Sequence, residues 1–233
     1  MESWYEYFVA NNFAKLGDMN CLISAGPTRE WIDPVRFISN PSSGKMGYAL
    51  AQVAYNLGMD VTLVSGPVSI EPPSAVQTIP VETALEMKDA MLEFSERADL
   101  IIMCAAVCDH RPQKKCDHKV AKENIPETVL LQKNPDILKI LGSQKKPGQI
   151  LIGFAAETHD ILASAKKKLI KKNLDWIVVN DVSNREIGFS SDKNEVIILG
   201  ANDEVERITL ADKSIIAKKL LHVVYPQWQI KAL

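Results

Sequence analysis

No stretch of the 233 residues approaches the ~18–20 consecutive apolar side chains of a membrane-spanning helix. The opening MESWYEYFVANNF carries Glu2 and Glu6 where a secretory leader would carry lysine. Together these absences point to a cytoplasmic protein. Charge of one sign is also missing. A formal net charge of −2 gives no broad basic face for nucleic acid or an anionic membrane, so neither partner is expected. Cysteine is sparse: Cys21, Cys104, Cys108 and Cys116 form no C-x-x-C pair. Cys104, Cys108, His110, Cys116 and His118 crowd together, yet their spacing matches no common structural zinc pattern, which favours reduced thiols. Repeats and low-complexity tracts are absent. So are a P-loop, a G-x-G-x-x-G turn, an H-E-x-x-H pair and a Ser-His-Asp order. Without a protein nucleophile, the remaining chemistry is one in which substrates attack one another while the protein positions them and neutralises charge.

What is present is an alternation of strands and helices. CLISAG, DVTLVSGP, DLIIMCAAV, QILIGFAAE, DWIVVND and EVIILGA read as strands, several of them apolar on both faces. Between them, GKMGYALAQVAYNLG, TALEMKDAMLEFSERA and a lysine-rich segment have helical period, and a last helix is expected over about 210–224. The pattern predicts an α/β fold: a Rossmann-like, doubly wound, mostly parallel sheet with helices on both faces. Residues 1–20 read as a separate amphipathic helix bearing Trp4, Phe8, Val9 and Phe13. Residues 21–233 read as a single domain with a polar, flap-like insertion at about 109–133. Ligands of such sheets sit beyond the carboxyl ends of the strands, so the polar segments following the strands hold the candidate site.

Three segments carry a signal there. In SNPSSGKMGYAL, Ser42 or Ser43 can cap a helix starting near Gly44, leaving its first amides for an anion. The same residues also suit a plain capped helix. The set Arg29, Asp33, Arg36 and Asn40 just ahead is denser than capping needs. In ASAKKKLIKKN, a helical wheel places Ile161, Ala165, Lys168 and Lys172 in one stripe, with Lys166, Lys167 and Lys171 elsewhere. Like charges at i,i+4 repel by about 0.2–0.5 kcal/mol, a cost that a bound polyphosphate offsets. In KNPDIL, Asn134 as cap, Pro135 and Asp136 start a helix. Asp109, past the end of DLIIMCAAV, suits a ribose hydroxyl, a metal ion or a turn. NDVS and GFSSDKN are polar turns after strands, suited to lining a site.

Together, ISAGPTREWIDPVRFISNPSSGKMGYALA, CAAVCDHRP, KNPDIL, GFAAET, the Lys168/Lys172 pair and NDVS…GFSSDKN resemble phosphopantothenate–cysteine ligase, the phosphopantothenoylcysteine synthetase of coenzyme A biosynthesis, in its bacterial CTP-dependent form. The resemblance spans about residues 21–225. It implies that 4'-phosphopantothenate reacts with CTP, with Mg²⁺ present, to give an acyl-cytidylate that L-cysteine then captures. It implies Asn40 and Lys119 as catalytic residues. It implies a CTP site of Ala105, Ala106, Asp109, Lys119, Asn134, Pro135, Asp136, Ile137, Phe154, Lys168 and Lys172. For phosphopantothenate it implies Asn40, Ser42, Ser43 and Gly44; no metal ligands follow from it. It further implies a homodimer, a flap over the site, and a separate flavin-dependent phosphopantothenoylcysteine decarboxylase in the pathway. Three features depart from the family: its K-x-K-K element reads Lys119-Val120-Ala121-Lys122, Cys108 and His110 replace the more usual alanine and tyrosine, and the N-terminal helix has no counterpart in it. The rival reading is a non-catalytic Rossmann-like nucleotide-binding or regulatory subunit.

Overall fold

The apolar strand runs pair into an eight-stranded sheet in the computed structural model, which describes residues 16–124, 127–157, 160–181 and 191–231. Most of the expected N-terminal helix and the turn at 182–190 lie outside the described residues. The sheet strands are β1 (Asn20–Ala25), β4 (Asp60–Ser65), β5 (Gln77–Pro80), β6 (Leu100–Met103), β9 (Ile150–Glu157), β10 (Trp176–Asp181), β11 (Lys193–Gly200) and β12 (Val205–Asp212). Their spatial order is β12-β11-β10-β9-β6-β1-β4-β5, parallel from β5 to β10 and antiparallel at β11 and β12. This is the Rossmann-like, mostly parallel sheet that the strand–helix alternation predicts.

Among the described residues five α-helices cover the sheet: α1 (Lys45–Asn56), α2 (Ala84–Ser95), α3 (Ile137–Gln144), α4 (Ile161–Lys171) and α5 (Lys213–Lys231). Because successive strand side chains point to opposite faces, Ile23 packs with Leu50, Val53, Ile216 and Leu220 on one side. Leu22 packs with Met87, Met91, Leu141 and Leu169 on the other. Both faces are buried, which is why the strands carry no polar alternation. At α2 the sequence caps the helix fully, Thr83 and Glu86 forming a reciprocal capping box.

Two expectations need correction. The last helix begins at Lys213, not near 210, because Val205–Asp212 pairs as an edge strand with β11. Its single buried residue among the first six, Ile208, leaves too little apolar pattern to read as a strand. The helix of KNPDIL is capped by Asp136, which accepts from the Lys139 amide at 3.0 Å, and not by Asn134.

Two small hairpins sit at the carboxyl end of the sheet. β2 (Arg29–Trp31) pairs with β3 (Phe37–Ser39), and β7 (His110–Pro112) pairs with β8 (Leu131–Lys133), closing the base of the insertion.

Candidate active site

β4 and β5 extend the sheet on one side of β1, and β6, β9 and β10 on the other. The chain therefore reverses between β1 and β6, and the loops leaving these two strands diverge to open a crevice. They are stitched at its floor: Ala106 N donates to Gly26 O at 2.8 Å and Cys108 N to Thr28 Oγ1 at 3.0 Å.

A cavity of about 360 Å³ opens at this point. One wall is the start of α1. Gly44 is the N-cap, in the left-handed region (φ 77°), and neither Ser42 nor Ser43 caps the helix; the Ser42 hydroxyl instead accepts from Gly44 N at 3.3 Å. A side chain at Gly44 would meet Val68, and one at Gly47 would strike Ala25 Cβ at 2.5 Å, so Gly47 lets α1 lie directly on β1. Residues 45–47 carry first-turn amides that have no acceptor within the helix, and all three line the cavity. The opposite wall is Ala105, Ala106, Asp109 and Phe154.

Asn40 joins the two walls. Its Nδ2 donates to the carbonyl oxygens of Ala106 (3.1 Å) and Val107 (3.2 Å). Both amide hydrogens are engaged, leaving the acceptor Oδ1 without a partner among the described residues.

A second cavity, of about 200 Å³, adjoins the first and shares Ala105, Val107, Asp109 and Phe154 with it. Its rim is residues 134–138, with Lys172. The lysine stripe of α4 divides between the two: Lys168 lines the first cavity and Lys172 the second, where its Nζ lies 2.9 Å from Asp136 Oδ1. Asn134 uses its side chain locally, donating to Cys108 O at 2.8 Å and accepting from Arg111 Nη1 at 2.8 Å. Of the residues expected at the site, Lys119 alone lines neither cavity. It is exposed on the insertion.

The larger cavity is also lined by Lys45, Cys104, Asn180, Asn194 and Lys213, none of them among the residues that the resemblance assigns to the site. Lys45 forms an ion pair with Asp192 at 2.6 Å. Lys213 is nearly inaccessible and donates to Ser191 O at 2.5 Å. Burial, reinforced by the neighbouring Lys45, lowers its pKa from the usual lysine value. Burial pushes the Cys104 thiol up to about 12, against the opposing pull of Lys213. Among the described residues the Oδ1 of Asn180 is buried with no hydrogen-bond partner, a costly state for an amide unless a ligand completes it. Asn180 and Asn194 fall in the polar turns NDVS and GFSSDKN, but Lys213 in a DKS turn reads as an ordinary surface residue.

Among the described residues no group of three metal-ligating side chains occurs, and no helix is long and apolar enough to cross a membrane.

Comparison with known proteins bears on this geometry. Residues 16–227 match the family described as the DNA/pantothenate metabolism flavoprotein C-terminal domain. The chain is 44% identical over 220 residues to the coenzyme A biosynthesis bifunctional protein CoaBC of Bacillus subtilis (strain 168), covering 94% of this chain and 54% of that protein. It is 42% identical over 208 residues to the CoaBC of Vibrio cholerae serotype O1, covering 88% and 52%. The chain thus spans about half the length of the curated relatives it matches. Among solved structures, the C-terminal domain of a CoaBC protein superposes with a TM-score of 0.78 at 42% identity, covering 91% of this chain and 96% of that one.

Proposed function

The chain belongs to the DNA/pantothenate metabolism flavoprotein C-terminal domain family, and on that premise we propose that it joins 4'-phosphopantothenate to L-cysteine with CTP as the activating nucleotide. In the first step a carboxylate oxygen of phosphopantothenate attacks the α-phosphate of CTP, forming an acyl-cytidylate and releasing pyrophosphate. In the second, the amine of cysteine attacks the acyl carbon, forming the amide and releasing CMP and a proton. The observation that carries this reading is the pair of adjoining cavities at the strand crossover, which share Asp109 and Phe154. Two substrates that must react with each other fit two cavities that meet at one wall.

The smaller cavity, with Asn134, Pro135, Asp136, Ile137 and Lys172, suits the nucleotide, as do Lys168, Ala105 and Ala106 beside the junction. The larger one, with Ser42, Ser43, Gly44 and the helix start, suits the phosphopantothenate. Asn40 stands beside the wall that the cavities share. Its open Oδ1 suits the second step, where an attacking amine has hydrogens to donate. Lys119 would neutralise the transferring phosphate once the insertion closes as a flap. Mg²⁺ fits a site at Asp109, the carboxylate that lines both cavities, since this ion is commonly held by one or two carboxylates and substrate phosphates; it would neutralise triphosphate charge there.

A homodimer is supported by the exposed apolar side chains Val35 and Phe37 on the β2–β3 hairpin and Val129, Leu130 and Leu131 beside β8, because β2 lies against β7 and the two hairpins bring these residues toward one surface. Light scattering tests it. A cytoplasmic location accompanies the same reading.

The deciding experiment supplies phosphopantothenate, cysteine, CTP and Mg²⁺ together and follows pyrophosphate release and product mass. Turnover that requires all three substrates is expected, with CTP preferred to ATP. No turnover at saturation would overturn the reading.

A further inference from the structure

Asp33 is buried to zero exposure, and the two oxygens of its carboxylate have separate partners. Oδ1 accepts from the amides of Val35 and Arg36, both at 2.9 Å, closing the turn between β2 and β3. Oδ2 accepts from Arg36 Nε at 3.0 Å, from Arg36 Nη2, and from Val120 N at 3.3 Å. The same Arg36 Nη2 donates to Val120 O at 2.8 Å. One turn of chain earlier, Cys116 N donates to Ile32 O at 2.9 Å. Lys119 therefore lies on a span fastened at both ends to the β2–β3 hairpin. That hairpin leads directly into Asn40, itself fixed to Ala106 and Val107.

Turn closure alone does not require a carboxylate, since an asparagine or serine in this position supplies the same acceptor. Burying a full charge is expensive unless both oxygens are satisfied. The second oxygen is satisfied by Arg36 and by the insertion.

We propose that Asp33 is a positioning residue: through Oδ2 and Arg36 it anchors the Lys119 span to the hairpin that carries Asn40, so that when the insertion closes Lys119 reaches the same substrate as Asn40. The proposal rests on the reading of Asn40 and Lys119 given above.

The test is D33N, which keeps the Oδ1 acceptor for the turn and replaces Oδ2 with a donor that repels Val120 N–H. The variant is expected to unfold in a single cooperative transition. Its pyrophosphate release should fall about tenfold, as for K119A, because misplaced groups lose much of their effect. The D33N/K119A double variant should be within about twofold of K119A alone, as for residues acting through one another. Multiplied losses would overturn the proposal. Hydrogen exchange on the free chain provides the second readout: the amides of Cys116 and Val120 should exchange at least about tenfold faster in D33N, while those of Val35 and Arg36 keep their protection. Unchanged exchange at 116 and 120 would also overturn it. Should D33N fail to fold, D33S retains a turn acceptor and carries both measurements. An inactive wild type would sink the proposed function, while the exchange result would still decide the tether.

Discussion

The side-chain amide of Asn40 donates to the main-chain carbonyl of Ala106 at 3.1 Å, joining the turn before α1 to the loop after β6. The bond crosses the crevice between β1 and β6, adding a side-chain tie to the main-chain bond from Ala106 N to Gly26 O between the same walls. It also orients Asn40 with its donors toward protein and its acceptor free.

The first prediction follows from that orientation. N40D retains an acceptor oxygen but loses the donors to Ala106 and Val107, and it places a negative charge beside the acyl group. Pyrophosphate release without cysteine should persist at a rate near wild type. Transfer to cysteine should fall about 10²-fold, the scale of losing one well-placed polar group in a transition state. Quenched reactions analysed by mass spectrometry would show the acyl-cytidylate accumulating. Normal product formation by N40D would remove Asn40 from this role.

Lys172 is the subject of the second. Its Nζ meets Asp136, the N-cap of α3, in a pair that is 21% and 45% exposed on its two side chains. Exposed pairs contribute little, about 0–1 kcal/mol, so K172M should leave the melting temperature within a few degrees of wild type. A charge-assisted bond to phosphate is worth about 1.5–3 kcal/mol. The KM for CTP should therefore rise about tenfold or more while that for phosphopantothenate stays constant. A matching rise in both would mean that Lys172 supports the site as a whole.

Gly47 yields a stability prediction. A Cβ there would lie 2.5 Å from Ala25 Cβ and 3.1 Å from its Cα, within β1 and not at the tip of a flexible chain. G47A must push α1 off the sheet at the cavity wall. Overpacking of this kind costs about 1–3 kcal/mol, measurable as a lower urea midpoint. An unchanged midpoint would show that α1 moves freely on the strand.

These residues also show what the sequence can disclose. The parallel strands were legible because burial on both faces leaves unbroken apolar runs such as LIIM. The lysine stripe was legible because helical period alone separates Lys168 and Lys172 from Lys166, which pairs outward with Asp203. Caps were less so: Ser42, Ser43 and Asn134 are all good capping types, but a left-handed glycine and a carboxylate took the positions. The Lys213 end of the cavity was hidden for a different reason. Lys213 donates from Nζ to Ser191 O and from its amide to Asp192 O, contacts between the residues just before β11 and the start of α5 that no local pattern encodes.

The last prediction concerns pH and Asp33. The Arg36 guanidinium, with the amides of Val35, Arg36 and Val120, holds this carboxyl well below the usual carboxylate range. A group with a depressed folded-state pKa adds stability that is complete above its unfolded value of ~3.9 and is lost as pH falls through the folded value. D33N carries no such titration. The difference in melting temperature between wild type and D33N should therefore be constant from pH 7 to about pH 5 and should shrink progressively below about pH 4. Calorimetry of both proteins across that range measures it directly. A difference that widens on acidification would mean that the carboxylate is strained in the fold and that Arg36 and Val120 do not stabilise its charge.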